Sequence, residues 1–393
     1  MNLHLMPDDK FLDDFIDILE SVDKPDNNRY VAYYSHCPDR LEFIKSKKVV
    51  LAKYGSREFF EAVGDPGQYD KIFIHFFCEK MWKFVLSLPS GMRIYWLFWG
   101  GDFYSPREYY RKFLFDAETE KYLEDAQADI QKPEFPPLRL IKRLKKALQI
   151  YRIMLLKRKA IGRVSYLCHF NRLDFELIKA GFPTKAKLLP FFYPPFCNFD
   201  KYNFELKDST LKDRCFSQGI KTILLGNSGF PTGNHLDALQ KLRSLNGKYN
   251  FRVLCPLGYG DPAYIQYLIQ KAAAILKDRF VPLTEFLEKQ AYFSLLRYID
   301  IIFMFQNRTQ GGGNAAAGLY FGKKVYFKRE NTLYRFFKEN GLEVFDIETY
   351  FSDGANHVFD ELPAGITEKN RQIILELFSN EKAAENIKRM AIS

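Results

Sequence analysis

Short apolar runs alternate with helix-type stretches over nearly the whole chain, and this alternation constrains the fold more than any other feature. The strand-type runs are residues 2–6, 29–34, 48–53, 71–77, 93–99, 163–169 and 186–192, then 221–225, 250–255, 279–283, 300–305, 323–328 and 344–346. They are apolar without strict alternation, as expected of strands covered on both faces of a parallel sheet. Helical stretches such as 9–21, 234–245, 263–277 and 285–298 lie between them. The pattern is βαβα written twice, which predicts an α/β protein of two doubly wound, Rossmann-like domains. A chain of 393 residues has length for two or three domains. Periodicity fails between 196 and 219, and Pro190, Pro194 and Pro195 stiffen the approach, so the expected domains are 1–205 and 206–393. The last helix is a candidate to return to the first domain.

Charge is unevenly spread. Lys and Arg total 58 against 48 Asp and Glu, a formal +10. Residues 138–163 hold Arg139, Lys142, Arg143, Lys145, Lys146, Arg152, Lys157, Arg158, Lys159 and Arg163 with no acid among them, so the rest of the chain sums to zero. One basic element on a neutral body does not suit nucleic acid. Leu138, Ile141, Leu144, Leu148, Tyr151 and Leu155 recur in it at helical spacing. The segment therefore reads as an amphipathic helix lying on an anionic membrane surface, or else as a solvated surface helix. No run is long and apolar enough to span a bilayer, no signal peptide opens the chain, and the six cysteines (Cys37, Cys78, Cys168, Cys197, Cys215, Cys255) show no paired spacing. A cytoplasmic protein without a disulfide framework or zinc site is expected.

Two loops in the second half invite an anion. After the run 221–225 come Gly226, Asn227, Ser228 and Gly229, with a helix opening near Asn234. Such a turn either brings backbone amides to a phosphate or uses glycine for geometry alone. After 300–305, Gln310-Gly311-Gly312-Gly313-Asn314 opens an Ala-rich helix, and three glycines there suit exposed amides aimed at a diphosphate. Thr284-Glu285, after 280–283, is a third loop of this kind. None of these is GxGxxG or a P-loop. Asp-x-Asp is absent throughout, which points to a metal-free arrangement with charge met by amides and basic side chains. In the first half, His75 ends an apolar run and is either a satisfied core residue or a site residue. Asp102 follows Gly100-Gly101 after another, and either caps the next helix or faces a cleft as a desolvated general base.

Taken in order, "IFIHFF", "WLFWGGDFY", "ILLGNSGFPTGNHLDAL", "CPLGYGDPAYI", "LTEFLEKQAYFSLLRYIDI", "FQNRTQGGGN" and "KRENTLYRFF" resemble the TDP-N-acetylfucosamine:lipid II N-acetylfucosaminyltransferases, glycosyltransferase family 56. The resemblance runs from about residue 71 to 340. The family pattern has His-Gly where this chain has His75-Phe76, and Gly-Ala-Asp where it has Gly100-Gly101-Asp102. The resemblance implies a GT-B fold: two Rossmann-like domains facing each other across a cleft, acceptor on the first, nucleotide-sugar donor on the second. It implies inverting, metal-independent transfer of a deoxyhexose-type sugar, such as N-acetylfucosamine, from a TDP-linked donor. The acceptor would be a lipid-linked saccharide at the cytoplasmic face of the inner membrane, reached peripherally. The donor would be held by 226–229, Asn234 and 310–314, its diphosphate on 226–229 and 310–314, with Tyr259 and Leu283, Thr284 and Glu285 beside base and ribose, and Glu330 and Asn331 toward sugar or ribose. Asp102 is the expected base, with His75 orienting the acceptor or serving as base itself. A nucleotide-sugar epimerase of the same fold and a non-catalytic membrane-surface protein are the alternatives.

Overall fold

The computed structural model describes residues 1–24, 26–34, 41–130, 136–194, 204–352 and 356–393. Cys37, Cys197 and the side chain of Arg139 lie outside this description. The chain divides into two compact units. The first comprises Met1–Tyr110, Phe135–Phe196 and Phe378–Ser393, and the second Arg111–Glu134 and Cys197–Leu377. A single cut after residue 205 does not describe this division: residues 111–134 count with the second unit and the last helix with the first.

In the first unit, β1 (Asn2–Met6), β2 (Asn28–Tyr34), β3 (Val49–Lys53), β4 (Lys71–His75), β5 (Arg93–Leu97), β6 (Tyr166–Cys168) and β7 (Lys187–Leu189) form a seven-stranded sheet. Its order is β3-β2-β1-β4-β5-β6-β7, and every pairing is parallel. One core gathers Met6, Tyr30, Phe73 and Tyr95 from the strands with Leu12, Phe15 and Ile16 from the helix Leu12–Val22. Ile387 and Met390 of the helix Asn380–Ile392 complete it.

In the second unit, β8 (Lys221–Leu225), β9 (Phe251–Pro256), β10 (Phe280–Leu283), β11 (Ile301–Met304), β12 (Lys324–Phe327) and β13 (Phe345–Asp346) form a six-stranded sheet. The order is β10-β9-β8-β11-β12-β13, again parallel throughout. Ile223, Leu225, Val253, Ile301, Phe303 and Tyr326 pack there with Leu239, Leu242, Leu268 and Ala272 from the covering helices.

All the strand-type runs become strands, and both faces of the sheets are covered, as continuous apolar runs require. Chain order reverses between β1 and β4 in one sheet and between β8 and β11 in the other. In open α/β sheets, crevices form at the carboxyl ends of strands at such switch points. Several strands stop short of their sequence expectation, β7 by three residues and β4 and β5 by two. β4 ends at His75, where Phe76 turns to positive φ (75°), and β5 ends at Leu97; two residues past each end, Phe77 N–H (3.0 Å) and Trp99 N–H (3.3 Å) donate to the Asp102 carboxylate.

Candidate functional site

At the switch point of the second sheet, Asn227 ties the loops together. Its Oδ1 accepts from Gln306 Nε2 (3.2 Å) and Gln310 Nε2 (3.0 Å), and its Nδ2 donates to the Tyr259 hydroxyl (3.4 Å). Gln310 Oε1 accepts in turn from the Thr232 hydroxyl at 3.0 Å. Loops after β8, β9 and β11 are thereby linked through one amide. Gly226 turns the chain in the left-handed region (φ 69°), and a side chain there would meet His235 Nε2 at 2.7 Å. Gly311 also lies at positive φ (67°), where a Cβ would come 3.1 Å from that of Asn227. It caps the helix Gly312–Tyr320, whose first-turn N–H groups have no partner within the helix. Gly312 and Gly313 put no side chain over them. Asn314 Nδ2 reaches back to Gly226 O (3.3 Å) and to the Tyr292 hydroxyl (2.8 Å). Ser228 is buried, and Gly229 N–H donates to Tyr259 O at 2.8 Å.

The structure thus brings together Gly226, Asn227, Gly229, Tyr259, Gln310, Gly311, Gly312, Gly313 and Asn314. Several other expected donor residues are turned elsewhere. Asn234 is 0% exposed: its Oδ1 accepts the Asp116 N–H (3.1 Å) and its Nδ2 donates to Leu114 O (3.0 Å). The segment that begins at Arg111 consumes both of its polar atoms. Asn331 is buried as a helix cap, accepting from Leu333 N–H (2.8 Å) and donating to Gln306 O and Arg308 O (2.8 and 2.9 Å). It supports the β11 loop from behind. Leu283 is core, and Glu285 is held by Arg214 at 3.1 and 2.8 Å. Thr284 and Glu330 stand exposed.

Sequence reasoning passed over a cluster beside this loop. Asn307 Nδ2 donates to Asp116 Oδ1 (2.9 Å), and Lys328 Nζ donates to Asn307 Oδ1 (2.8 Å) while pairing with Asp116. Asn307 stands within "FQNRTQGGGN", but nothing local marks Asp116 as its partner. His235, under the Gly226 turn, is fully buried, and burial lowers its pKa to about 4.

In the first unit, both expected catalytic residues face inward. Asp102 is 1% exposed. Its Oδ2 accepts from Phe77 N–H (3.0 Å) and Trp96 Nε1–H (2.6 Å), and its Oδ1 from Trp99 N–H (3.3 Å) and Phe103 N–H (3.2 Å). Burial pushes its pKa upward, opposed by these donors. The carboxylate is a brace between the β4 and β5 loops, closed to an acceptor hydroxyl. His75 is 0% exposed and likewise unreachable as a base.

His75 belongs to a buried chain whose tautomers follow from its ends. Asn28 Nδ2 donates to Asp23 Oδ2 (3.0 Å), so Asn28 Oδ1 accepts from His4 Nε2–H at 3.3 Å. His4 Nδ1 then accepts from His75 Nε2–H (3.2 Å), and His75 Nδ1 accepts the Tyr193 O–H proton (2.6 Å). Both imidazoles are neutral, with burial lowering His4 to about 3 and His75 well below its ordinary value. Tyr193 oxygen receives Trp99 Nε1–H at 2.9 Å. Sequence inspection also missed His169, whose Nε2 lies 2.9 Å from Asp174 Oδ2 after β6.

The basic segment forms one helix, Pro136–Gly162. Its apolar stripe is outward: Ile141, Leu144 (62%), Leu148, Tyr151 (61%) and Leu155 are all exposed. Lys142, Arg143, Lys145, Lys146, Arg152, Arg158 and Lys159 are exposed around it. Lys157 is the exception and cannot touch a surface. It is buried, donating to Phe103 O, Ser105 O (3.1 Å) and the Tyr110 hydroxyl (2.8 Å), with the rings of Phe103, Tyr110 and Phe182 within 5.0 Å. Among the described residues no helix is long and apolar enough to cross a membrane.

Comparison with known proteins adds two findings. Residues 150–360 match the family described as 4-alpha-L-fucosyltransferase glycosyl transferase group 56. The structure is similar to an alpha,alpha-trehalose-phosphate synthase from Burkholderia xenovorans in complex with glucose-6-phosphate, at 10% identity and TM-score 0.63, covering 100% of both chains. It is similar to the E. coli protein described as trehalose-6-phosphate bound with UDP-2-fluoro glucose, at 11% identity and TM-score 0.61, covering 100% of this chain and 98% of that one. WaaG, a glycosyltransferase involved in lipopolysaccharide biosynthesis, aligns at 11% identity and TM-score 0.52 over 100% of this chain and 95% of that one.

Proposed function

Since this chain belongs to the 4-alpha-L-fucosyltransferase glycosyl transferase group 56 family, and is a glycosyltransferase of GT-B fold, we propose that it transfers a deoxyhexose-type sugar, of the N-acetylfucosamine or fucose kind, from a TDP-linked donor to a lipid-linked saccharide in bacterial surface glycan synthesis. Transfer inverts the anomeric centre and needs no metal. The carrying observation is the Asn227-centred loop cluster, which gathers Gly226, Gln310 and the glycine-opened helix Gly312–Tyr320 at one switch point. A diphosphate on this cluster meets backbone N–H groups at the positive end of a helix, which offsets its charge without a cation. Tyr259, 42% exposed and anchored on Asn227, flanks the nucleoside.

The acceptor reading draws on the helix Pro136–Gly162, whose exposed Leu and Tyr stripe is bordered by exposed basic side chains. Such a face suits the cytoplasmic surface of the inner membrane, where each basic residue contributes on the order of 1 kcal/mol. The enzyme then works peripherally, where lipid-linked saccharides are found.

A thermal-shift series with TDP, UDP and GDP tests the donor side. Stabilisation by TDP above the other two is expected, since a ligand at 100 times its Kd adds about 2.7 kcal/mol. No shift with any nucleotide removes the donor assignment. Sedimentation with liposomes tests the membrane side: equal pelleting on anionic and neutral lipid refutes it.

A further inference from the structure

At the switch point of the first sheet, four aromatic side chains remain half-exposed on loops that follow four different strands. Phe11 comes after β1, Phe76 after β4, Trp99 after β5 and Tyr193 after β7. They touch edge to face: Phe76 lies 5.8 Å from Trp99, Trp99 5.5 Å from Tyr193, and Phe11 6.3 Å from Trp99. Phe11 is also 6.3 Å from Tyr193.

Two buried polar devices hold these rings. Asp102 fixes the amides of Phe77 and Trp99, next to Phe76 and at Trp99 itself. The His4–His75 chain fixes the Tyr193 hydroxyl, which also receives the Trp99 indole N–H. Phe76 is kept at φ 75°, a left-handed conformation that costs a bulky residue about 1–3 kcal/mol and persists where the surroundings impose it. So much fully buried polar support, serving rings that are left half open, is the arrangement of a binding surface whose geometry is set from behind.

Asp9 stands at this floor, on the β1 loop two residues before Phe11. Its carboxylate is half-buried, accepts from Phe11 N–H at 3.4 Å, and its charge reaches the Tyr193 hydroxyl. Among the described residues, no Lys, Arg or His lies within ion-pair distance of it. Burial raises its pKa to about 6; the Lys10 charge and the Phe11 and Lys10 amides oppose the rise, and Asp8 adds to it.

We propose that Phe11, Phe76, Trp99 and Tyr193 form the acceptor-sugar subsite, taking the apolar face of a pyranose ring, and that Asp9 is the general base. This rests on the glycosyl-transfer reading. Flat aromatic surface with a few placed polar groups is what an alternately C–H and O–H lined ring requires. Tyr193 oxygen keeps a lone pair for a sugar hydroxyl after serving Trp99 and His75. In the transfer step the acceptor O–H bond breaks and its proton passes to an Asp9 carboxylate oxygen. The acceptor oxygen forms its bond to the donor sugar's C1, and the C1–O bond to the diphosphate breaks with its electron pair leaving on the nucleoside diphosphate.

The test uses the full chain and a panel of methyl pyranosides, read by saturation-transfer NMR, with TDP titration as the donor control. Wild type should transfer saturation to the ring C–H protons of at least one pyranoside. Trp99→Ala should abolish this and Trp99→Phe largely retain it, both with unchanged TDP affinity and cooperative unfolding. With that pyranoside as acceptor, nucleoside diphosphate release should fall about 10²–10⁴-fold in Asp9→Asn, again with TDP affinity unchanged. Equal saturation in wild type and Trp99→Ala, or none in wild type, overturns the subsite. Asp9→Asn within tenfold of wild type, or a wild type no faster with the pyranoside than without it, overturns the base. A chain that binds no nucleotide at all instead sinks the donor reading beneath both.

Discussion

Asp102 Oδ2 lies 2.6 Å from the indole nitrogen of Trp96, and the two side chains are both buried beneath the loops that end β4 and β5. With Phe77, Trp99 and Phe103 donating backbone N–H groups to the same carboxylate, Asp102 takes four hydrogen bonds and offers none to solvent. Its position after a Gly-Gly pair, which suggests a base at a cleft, is instead what lets the chain fold back over it.

Asp102→Asn should therefore act on stability first. An amide presents N–H to at least one of these donors, leaving buried groups unpaired at about 1–3 kcal/mol. Chemical denaturation should show the loss. Turnover per folded molecule should fall less than for Asp9→Asn, since the proton acceptor remains. A hundredfold drop in kcat at full stability would return Asp102 to the chemistry.

Asp9→Asn should change the pH dependence of folding. The wild-type carboxyl has its pKa raised by burial from 3.8 to about 6. A raised folded value means that its contribution is fully present below about pH 4 and is lost as pH rises through 6. The variant has no such loss. Its melting temperature should match wild type near pH 4 and exceed it at pH 7, measured by calorimetry across that interval. Parallel profiles would mean that Asp9 is solvated.

Asn234→Ala should destabilise the second unit by about 1–3 kcal/mol, because Asp116 N–H and Leu114 O both lose a buried partner. TDP binding by the folded variant should be unchanged. Gly312→Val, in the adjoining helix start, should behave oppositely: near-native stability with TDP affinity weakened at least tenfold, read by isothermal titration.

The basic helix separates two kinds of lysine. Replacing Lys142, Arg143, Lys145 and Lys146 together by Glu should abolish sedimentation with anionic liposomes and leave the melting temperature nearly unchanged. Lys157→Ala should do the reverse, since its buried ammonium bonds Ser105 O and Tyr110 within a ring of aromatics. Loss of lipid binding in Lys157→Ala alone would contradict this division.

What the sequence by itself determined is the architecture and the glycine loops. Unbroken apolar runs separated by helical periods leave a doubly wound parallel sheet as the solution, and the runs map one for one onto β1–β13. Gly226 and Gly311 were legible because positive φ has a residue signature. So was the helix Pro136–Gly162, whose charge is local in the chain. Tertiary structure alone decided which polar residues face outward. Asp102, His75, Asn234, Asn331 and Lys157 all carry chemistry that suits a site, yet each is spent on a backbone group or a distant side chain. Asn234 meets Asp116 across 118 residues and His75 meets Tyr193 across the same separation. Asp9 was passed over for the converse reason. A carboxylate beside Asp8 and Lys10 reads as a solvated turn, and only its burial beside the Phe11 amide sets it apart. Hydrogen bonds are satisfied by whatever the fold brings near, and local sequence carries no record of a partner so far along the chain.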